Sequence, residues 1–248
     1  MGRTHEALER AEKEYQESLL GAFPISRKRV MTVLPRRASD QAMLAWYEDL
    51  KTNLLARRQD KPIKSVLFTS TSPGDGTSTT AIHLAACLVR DTDLKVLLVD
   101  ANLRTPCLHE VFGVDHTHGL SDWLTKAGDM TSRLKKIGAT NLYVMPCGGK
   151  HSNPVALFES SAFDDFLRNS HGWFDFVILD APPTTSFSEA RVICRKVDGV
   201  VLVLGSGTTR RQVALNAKRE VEEAGGKVLG VVLNRRKFHI PTWIYERL

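Results

Sequence analysis

Residues 63 to 84 read IKSVLFTSTSPGDGTSTTAIHL, and the order of elements in this stretch decides the fold. Ile63 to Thr69 is an apolar run of strand character, Ser70 to Thr77 is a Gly/Ser/Thr-rich bend, and helical spacing begins at Ser78. A strand, a glycine-rich turn and a helix in that order make a phosphate cradle. The backbone N–H groups of the bend wrap the anion at the positive end of the helix. Gly74 and Gly76 supply the bend.

Against the pattern G-x-x-x-x-G-K-[ST], Thr71 takes the first position, Gly76 the second glycine, and Ser78 the hydroxyl that holds Mg²⁺. Thr77 stands where the lysine belongs. A lysine there sets a full positive charge on the β- and γ-phosphates, whereas threonine offers a neutral hydrogen bond, about half as strong as a charge-assisted one. Taken alone, such a loop is a weak signal. Two later strands strengthen it, because each ends in an acid: Lys95 to Asp100 (KVLLVD), running into Ala101 to Pro106, and Phe174 to Asp180 (FDFVILD), running into Ala181-Pro182-Pro183. Acids at the C-terminal edge of a parallel sheet, beside a cradle, are what a nucleotide site uses. The three strand ends are expected to converge.

Working outward, β-rich and helical runs alternate as in a parallel α/β sheet. The cradle helix runs from Ser78 to Asp91, a short helix covers Ser121 to Ala127, and a strand covers Asn141 to Pro146. Val155 to Asn169 and Ser188 to Lys196 read as helices on either side of the Phe174 to Asp180 strand. Gly199 to Leu204 is a buried strand, Thr208 to Ala224 a helix stopped by Gly225-Gly226, and Val228 to Leu233 the last strand. Upstream, Ser39 caps a helix that runs through Met43, Leu44, Tyr47, Leu50 and Leu54 to Arg57-Arg58. Glu6 to Leu20 carries Leu8, Ala11, Tyr15 and Leu19 at helical spacing, a narrow apolar stripe that needs a partner surface. Gly21 to Arg37, with Pro24 and Pro35 among basic residues, is a linker. The chain therefore divides into an N-terminal helix and linker, 1–38, and a doubly wound, mainly parallel α/β domain of P-loop NTPase type, 39–248, with helices on both faces of its sheet.

Composition narrows the function classes. With 248 residues and 42% hydrophobic content, one α/β domain with a short appendage fits better than two domains. No apolar run approaches the roughly 20 residues of a membrane span, and MGRTHEALERAEKEY lacks the apolar region of a signal peptide, so a cytoplasmic location is expected. Met1-Gly2 followed by Arg3 is a poor myristoylation start. The four cysteines, Cys87, Cys107, Cys147 and Cys194, show no C-x-x-C pairing and read as reduced core thiols. Asp115-His116-Thr117-His118 reads as a polar turn rather than a metal motif. The net charge of +6 gathers in Arg27-Lys28-Arg29, Arg36-Arg37, Arg57-Arg58 and Arg235-Arg236-Lys237 without any nucleic-acid-binding signature. Solvated surface, an anionic membrane face or an acidic partner accounts for it better than nucleic acid.

In combination these pieces resemble the bacterial tyrosine kinases and their relatives that serve exopolysaccharide and capsule export. The resemblance rests on SPGDGTSTT, VLLVDANLRTPCLHEVFG, Gly119-Leu120-Ser121-Asp122, FDFVILDAPP, VDGVVLVL and VLGVVLN, with ALERAE, Leu50 to Leu54 and Ile240 to Tyr245 also familial. It implies a cradle of Pro73, Gly74, Asp75, Gly76, Thr77, Ser78 and Thr79 that holds ATP or ADP. It implies a Mg²⁺ site of Ser78, Asp100 and Asp180, with Asp180 holding a metal-bound water, and a catalytic set of Asp100, Asp180, Asn102 and Arg104. It also implies a membrane polysaccharide co-polymerase as partner, at the inner face of the cell membrane.

The departures from the family pattern bear on one activity. Thr77 replaces the lysine, and the alternative lysine of Min/Par-type ATPases falls on Ser72. Asn102 replaces a second aspartate and so loses a carboxylate that can bind metal or accept a tyrosine proton. The family's ring-forming Glu-x-x-Arg-x-x-Arg falls on Ala45, Glu48 and Lys51, and near the C-terminus only Tyr245 stands where the kinases carry a tyrosine cluster. The expectation is a family member with weak or lost ATP and Mg²⁺ binding that acts as a partner or regulator of the co-polymerase. A working autokinase that recruits another cation, conceivably Arg104, and a Min/Par-type ATPase that binds membrane or DNA stay open as alternatives.

Overall fold

The computed structural model describes residues 38–60, 63–126 and 128–235. The apolar runs form seven strands: β1 (Ser65–Ser70), β2 (Val96–Asp100), β3 (Lys135–Lys136), β4 (Leu142–Met145), β5 (Phe176–Asp180), β6 (Gly199–Gly205) and β7 (Val228–Asn234). They pair in the order β3-β4-β2-β5-β1-β6-β7. Every pairing is parallel except that of β3 with β4. Every residue of β1, β2, β5 and β6 is buried, which is why these segments read as continuous apolar runs and not as alternating ones.

Eight helices accompany the sheet among the described residues: α1 (Ala38–Asp60), α2 (Thr77–Asp91), α3 (Leu108–Phe112), α4 (Leu120–Lys126), α5 (Pro154–Glu159), α6 (Ser161–Trp173), α7 (Glu189–Cys194) and α8 (Arg211–Glu223). The strand side chains alternate between two cores. Leu67, Leu97, Leu179 and Leu202 pack with Phe158, Phe163 and Phe166 of α5 and α6 on one face. Val66, Phe68, Leu98 and Ile178 pack with Leu84 and Leu88 of α2 and Phe112 of α3 on the other. This is the doubly wound arrangement expected, and it brings the C-terminal ends of β1, β2 and β5 to one edge.

The helix expected from Ser39 is α1, and it docks on α2. Leu54 is buried in the shared core, and the Tyr47 ring lies 5.0 Å from that of His83. Glu48 pairs with Arg90 at 2.5 Å and also with Lys51. Two of the positions that fall on the ring motif are thus engaged in ion pairs inside the chain. The helix Glu6 to Leu20, the linker Gly21 to Arg37 and the stretch Ile240 to Tyr245 lie outside the described residues.

Three details differ from the sequence reading. Val155 to Asn169 forms two helices, because Ser160 is extended (ψ 155°) and Lys196 Nζ donates to the carbonyls of Glu159 and Ser160 at 3.3 and 3.2 Å. Those carbonyls are then turned away from a continuous helix. The loose segment after β2 contains α3, whose Leu108 and Phe112, four residues apart, are both buried, and which ends on Gly113 at φ 63°. The short antiparallel β3 edges the sheet through two lysines, whose charges discourage further strand pairing.

Candidate functional site

The cradle is the turn between β1 and α2. Gly74 and Gly76 adopt φ 80° and 92°, the left-handed region that a glycine enters without strain. Gly76 caps α2 with no side-chain hydrogen bond and no acid in the first turn, so the N–H groups of Thr77, Ser78 and Thr79 have no intrahelical partner. An uncapped helix start framed by two glycines has the donors and the dipole to hold an anion.

Inside the loop Asp75 acts as a brace. Its buried carboxylate accepts hydrogen bonds from Thr71 Oγ1 at 3.0 Å and from Ser72 N at 2.9 Å. Gly76 O accepts from Thr80 N and Thr80 Oγ1 at 2.9 and 2.8 Å. The loop after β5 is laced to β1 and the cradle: Thr69 Oγ1 donates to Pro182 O at 2.6 Å, Thr184 N donates to Ser70 O at 3.0 Å, and Thr185 Oγ1 donates to Thr71 O. These bonds fix the loop before any ligand arrives. Pro73 lies in the same turn and is half-buried.

Asp100 and Asp180 sit side by side in register at the ends of β2 and β5, with 0% and 1% exposure. Asp100 Oδ2 accepts from Cys107 N and Leu108 N, each at 3.0 Å, whereas Asp100 Oδ1 and Asp180 Oδ2 have no partner. The Ser78 hydroxyl stands against Asp180 and favours its ionised form. Burial pushes the Asp100 carboxyl up to about 7, and burial together with the Asp100 charge holds Asp180 well above the usual carboxylate range. Two neighbouring buried carboxylates with orphaned oxygens, next to a hydroxyl and an open helix start, fit a divalent cation shared with phosphate oxygens. No group of three or more His, Cys, Asp or Glu among the described residues could hold a metal ion.

The other residues of the expected catalytic set are occupied. Asn102 Oδ1 accepts from Thr105 N at 3.1 Å and its Nδ2 donates to Thr105 Oγ1 at 3.0 Å, which closes the turn after β2. Arg104 Nε pairs with Glu189 Oε1 at 2.7 Å, and its guanidinium lies 4.6 Å over the Phe187 ring. Its charge therefore answers the buried Glu189, and the replacement cation conceived for it is engaged elsewhere. The Asp115 to His118 segment is a turn in which Asp115 Oδ1 accepts from Thr117 N at 3.1 Å.

Three site residues went unrecognised in the sequence. Cys107, counted among the core thiols, lies between Asp100, Asp180 and Ser78, and burial with the two acids drives its thiol well above its ordinary value. Asn234, at the end of β7, donates from Nδ2 to Asp75 O at 2.9 Å, and Arg235 follows it at the cradle. The sequence signals for these two were the polar ending of the last strand and, for Arg235, its place in the basic run Arg235-Arg236-Lys237.

The raised carboxyls predict a pH dependence with a definite sign. A group that titrates near 7 in the fold and near 3.8 when unfolded holds its proton more tightly in the native state, so its contribution is fully present below about pH 4 and is lost as pH rises towards 7. The ligand-free protein is expected to lose stability between about pH 4 and pH 7 on this account. Asp180→Asn, by removing a second carboxyl that burial and the Asp100 charge raise, is expected to flatten the slope in denaturation curves recorded across that range. An unchanged slope contradicts the coupling.

Comparison with known proteins bears on the family and the fold. Residues 63–244 match the family described as ParA, NUBPL iron-transfer P-loop NTPase. The chain is 34% identical over 191 residues to the tyrosine-protein kinase YwqD of Bacillus subtilis, across 77% of this chain and 80% of that protein. The chain belongs to the bacterial tyrosine-kinase family. Tyrosine-protein kinase CpsD of Streptococcus pneumoniae is 31% identical over 191 residues, 77% of this chain and 83% of that protein. Among solved structures, the chimerical protein CapA2B2 superposes with a TM-score of 0.76 at 27% identity, covering 92% of this chain and 100% of that one. P-loop NTPases generally bind ATP or ADP with Mg²⁺, and in this chain the orphaned carboxylate oxygens and the uncapped α2 are the groups that would meet such a ligand.

Proposed function

We propose that this chain is a catalytically impaired member of the bacterial tyrosine-kinase family, and that it works as a cytoplasmic partner or regulator of a membrane polysaccharide co-polymerase in exopolysaccharide and capsule export. The observation that carries this reading is Thr77: the cradle, Ser78 and the Asp100/Asp180 pair are assembled, and the residue that should bring a cation into the loop is neutral. Backbone N–H groups at the start of α2 would bind and orient the phosphates. Ser78, Asp100 and Asp180 would hold the cation, which would supply positive charge to offset the carboxylates and the phosphates. Without the lysine the charge that builds on the transferring phosphoryl group is poorly opposed, a loss of about 10² or more in rate. Asn102, turned onto Thr105, leaves no second carboxylate to take a tyrosine proton.

The expected result of incubation with Mg-ATP is an unmodified Tyr245 in peptide mass spectrometry. Stoichiometric phosphotyrosine that disappears in Asp180→Ala would establish a working autokinase instead.

No helix among the described residues is long and apolar enough to cross a membrane. Membrane proximity is proposed through Arg27-Lys28-Arg29 and Arg36-Arg37, at about 1 kcal/mol per basic residue near an anionic leaflet, with the Glu6 to Leu20 segment docking on the co-polymerase. Vesicles containing phosphatidylserine are expected to sediment the wild type at low salt, and to release it when Arg27, Lys28 and Arg29 are changed to glutamate. Equal recovery of both proteins at low and high salt removes the membrane arm of the proposal.

A further inference from the structure

Arg235 is the one non-glycine residue with positive φ among the described residues, at φ 57° immediately after β7. A side chain in the left-handed region is uncommon, and where it persists its surroundings must hold it there. Asn234 does so from both ends of its amide: Oδ1 accepts the Arg235 backbone N–H at 2.8 Å, and Nδ2 donates to Asp75 O inside the cradle at 2.9 Å. The Arg235 side chain thereby lies over the loop. A Cβ added to Gly74 would stand 3.6 Å from Nη2 and 3.9 Å from Nη1 of its guanidinium. None of the described carboxylates forms an ion pair with Arg235, which is exposed.

We propose that Arg235 is the cation of the cradle, reaching a bound nucleotide's phosphates from outside the loop where Thr77 supplies no charge from within. This rests on the nucleotide-site reading above. The geometry has three parts that act together: a loop lacking its positive charge, a guanidinium with no described acid to satisfy it placed at that loop, and a backbone twist that the Asn234 amide clamps. Guanidinium is suited to the role, because it stays charged at all working pH values and its fork of N–H donors matches phosphate oxygens. Asn234 is a positioning residue in this scheme, since it acts only by aiming Arg235 and tying β7 to Asp75.

The test is calorimetric titration of ADP and of inorganic tripolyphosphate, each with Mg²⁺, into the wild type, Arg235→Gln, Arg235→Gly, Thr77→Lys and Thr77→Lys/Arg235→Gln. Arg235→Gly removes the charge and relieves the backbone at the same time, so a fall in affinity there, with an unchanged or raised melting temperature, cannot be a folding defect. Loss of about ten- to a hundredfold in affinity for both ligands is expected in Arg235→Gln and Arg235→Gly, the worth of a charged hydrogen bond. Thr77→Lys is expected to restore binding in the double variant. Weakened ADP binding with unchanged tripolyphosphate binding would place Arg235 on the base or sugar and overturn the proposal. So would wild-type affinity in both Arg235 variants. If the wild type binds neither ligand while Thr77→Lys binds both, the Arg235 proposal fails and the nucleotide frame survives. If Thr77→Lys also binds neither, both fail.

Discussion

Thr77→Lys is expected to raise affinity for Mg-ADP by about ten- to a hundredfold, equivalent to the 1.5–3 kcal/mol of a hydrogen bond to a charged group. Everything else that a phosphate needs is already in place: the N–H groups at the start of α2 are uncapped, and Gly74 and Gly76 hold the loop open. Ser78 faces Asp180. Thr77 is the first residue of α2 and is 9% exposed, so its side chain belongs to the cradle and not to the surface. A lysine at this position contacts the phosphates from within the loop, whereas Arg235 reaches them only from its outer side, and the two effects are expected to add in part. Titration calorimetry on the wild type and the variant checks this. An affinity unchanged by the substitution would mean that the loop's charge is already complete.

The largest stability effect is expected at Gly76. Its φ of 92° costs a residue with a Cβ about 1–2 kcal/mol, and a Cβ there would overlap Asn234 Nδ2. Asn234 would have to leave its 2.9 Å bond to Asp75 O, stranding a half-buried amide at a further cost of about 1–3 kcal/mol. Gly76→Ala is therefore expected to destabilise the fold by about 3 kcal/mol, read as a shift of the urea midpoint at constant slope. Gly74→Ala is the control. Its φ of 80° carries the same backbone cost, but its Cβ would make ordinary contact with the flexible Arg235 side chain, and the loss should be about 1–2 kcal/mol. Equal losses at the two glycines would show that the Asn234 clamp does not hold the loop.

Much of this site could be read in the chain because its parts are local. Thr77 and Ser78 are fixed by spacing from Gly76, and Asp100 and Asp180 by their places at the ends of apolar strands whose parallel pairing follows from the alternation of elements. What escaped the sequence is tertiary. The bond from Asn234 to Asp75 spans 159 residues and exists because β6 and β7 are added to the β1 side of the sheet, which no periodicity shows. Arg104 looked available for phosphate because Glu189, its partner, lies 85 residues further on at the start of α7. Cys107 passed for core material, and only the tight turn into α3 brings its thiol and backbone N–H back to the Asp100 carboxylate. The break at Ser160 is likewise imposed from a distance, by Lys196.

On the proposed reading this chain keeps the nucleotide and metal frame of the tyrosine-kinase family at reduced charge. Titration of ADP into the wild-type protein with Mg²⁺ and with EDTA, repeated on Asp180→Ala, separates that reading from an intact or an abandoned nucleotide site. Weak binding is expected, with a dissociation constant on the order of 100 µM, that tightens with Mg²⁺ and loses this metal dependence in Asp180→Ala. Tight binding indifferent to Mg²⁺ and to Asp180, or no binding at millimolar ADP, would contradict it.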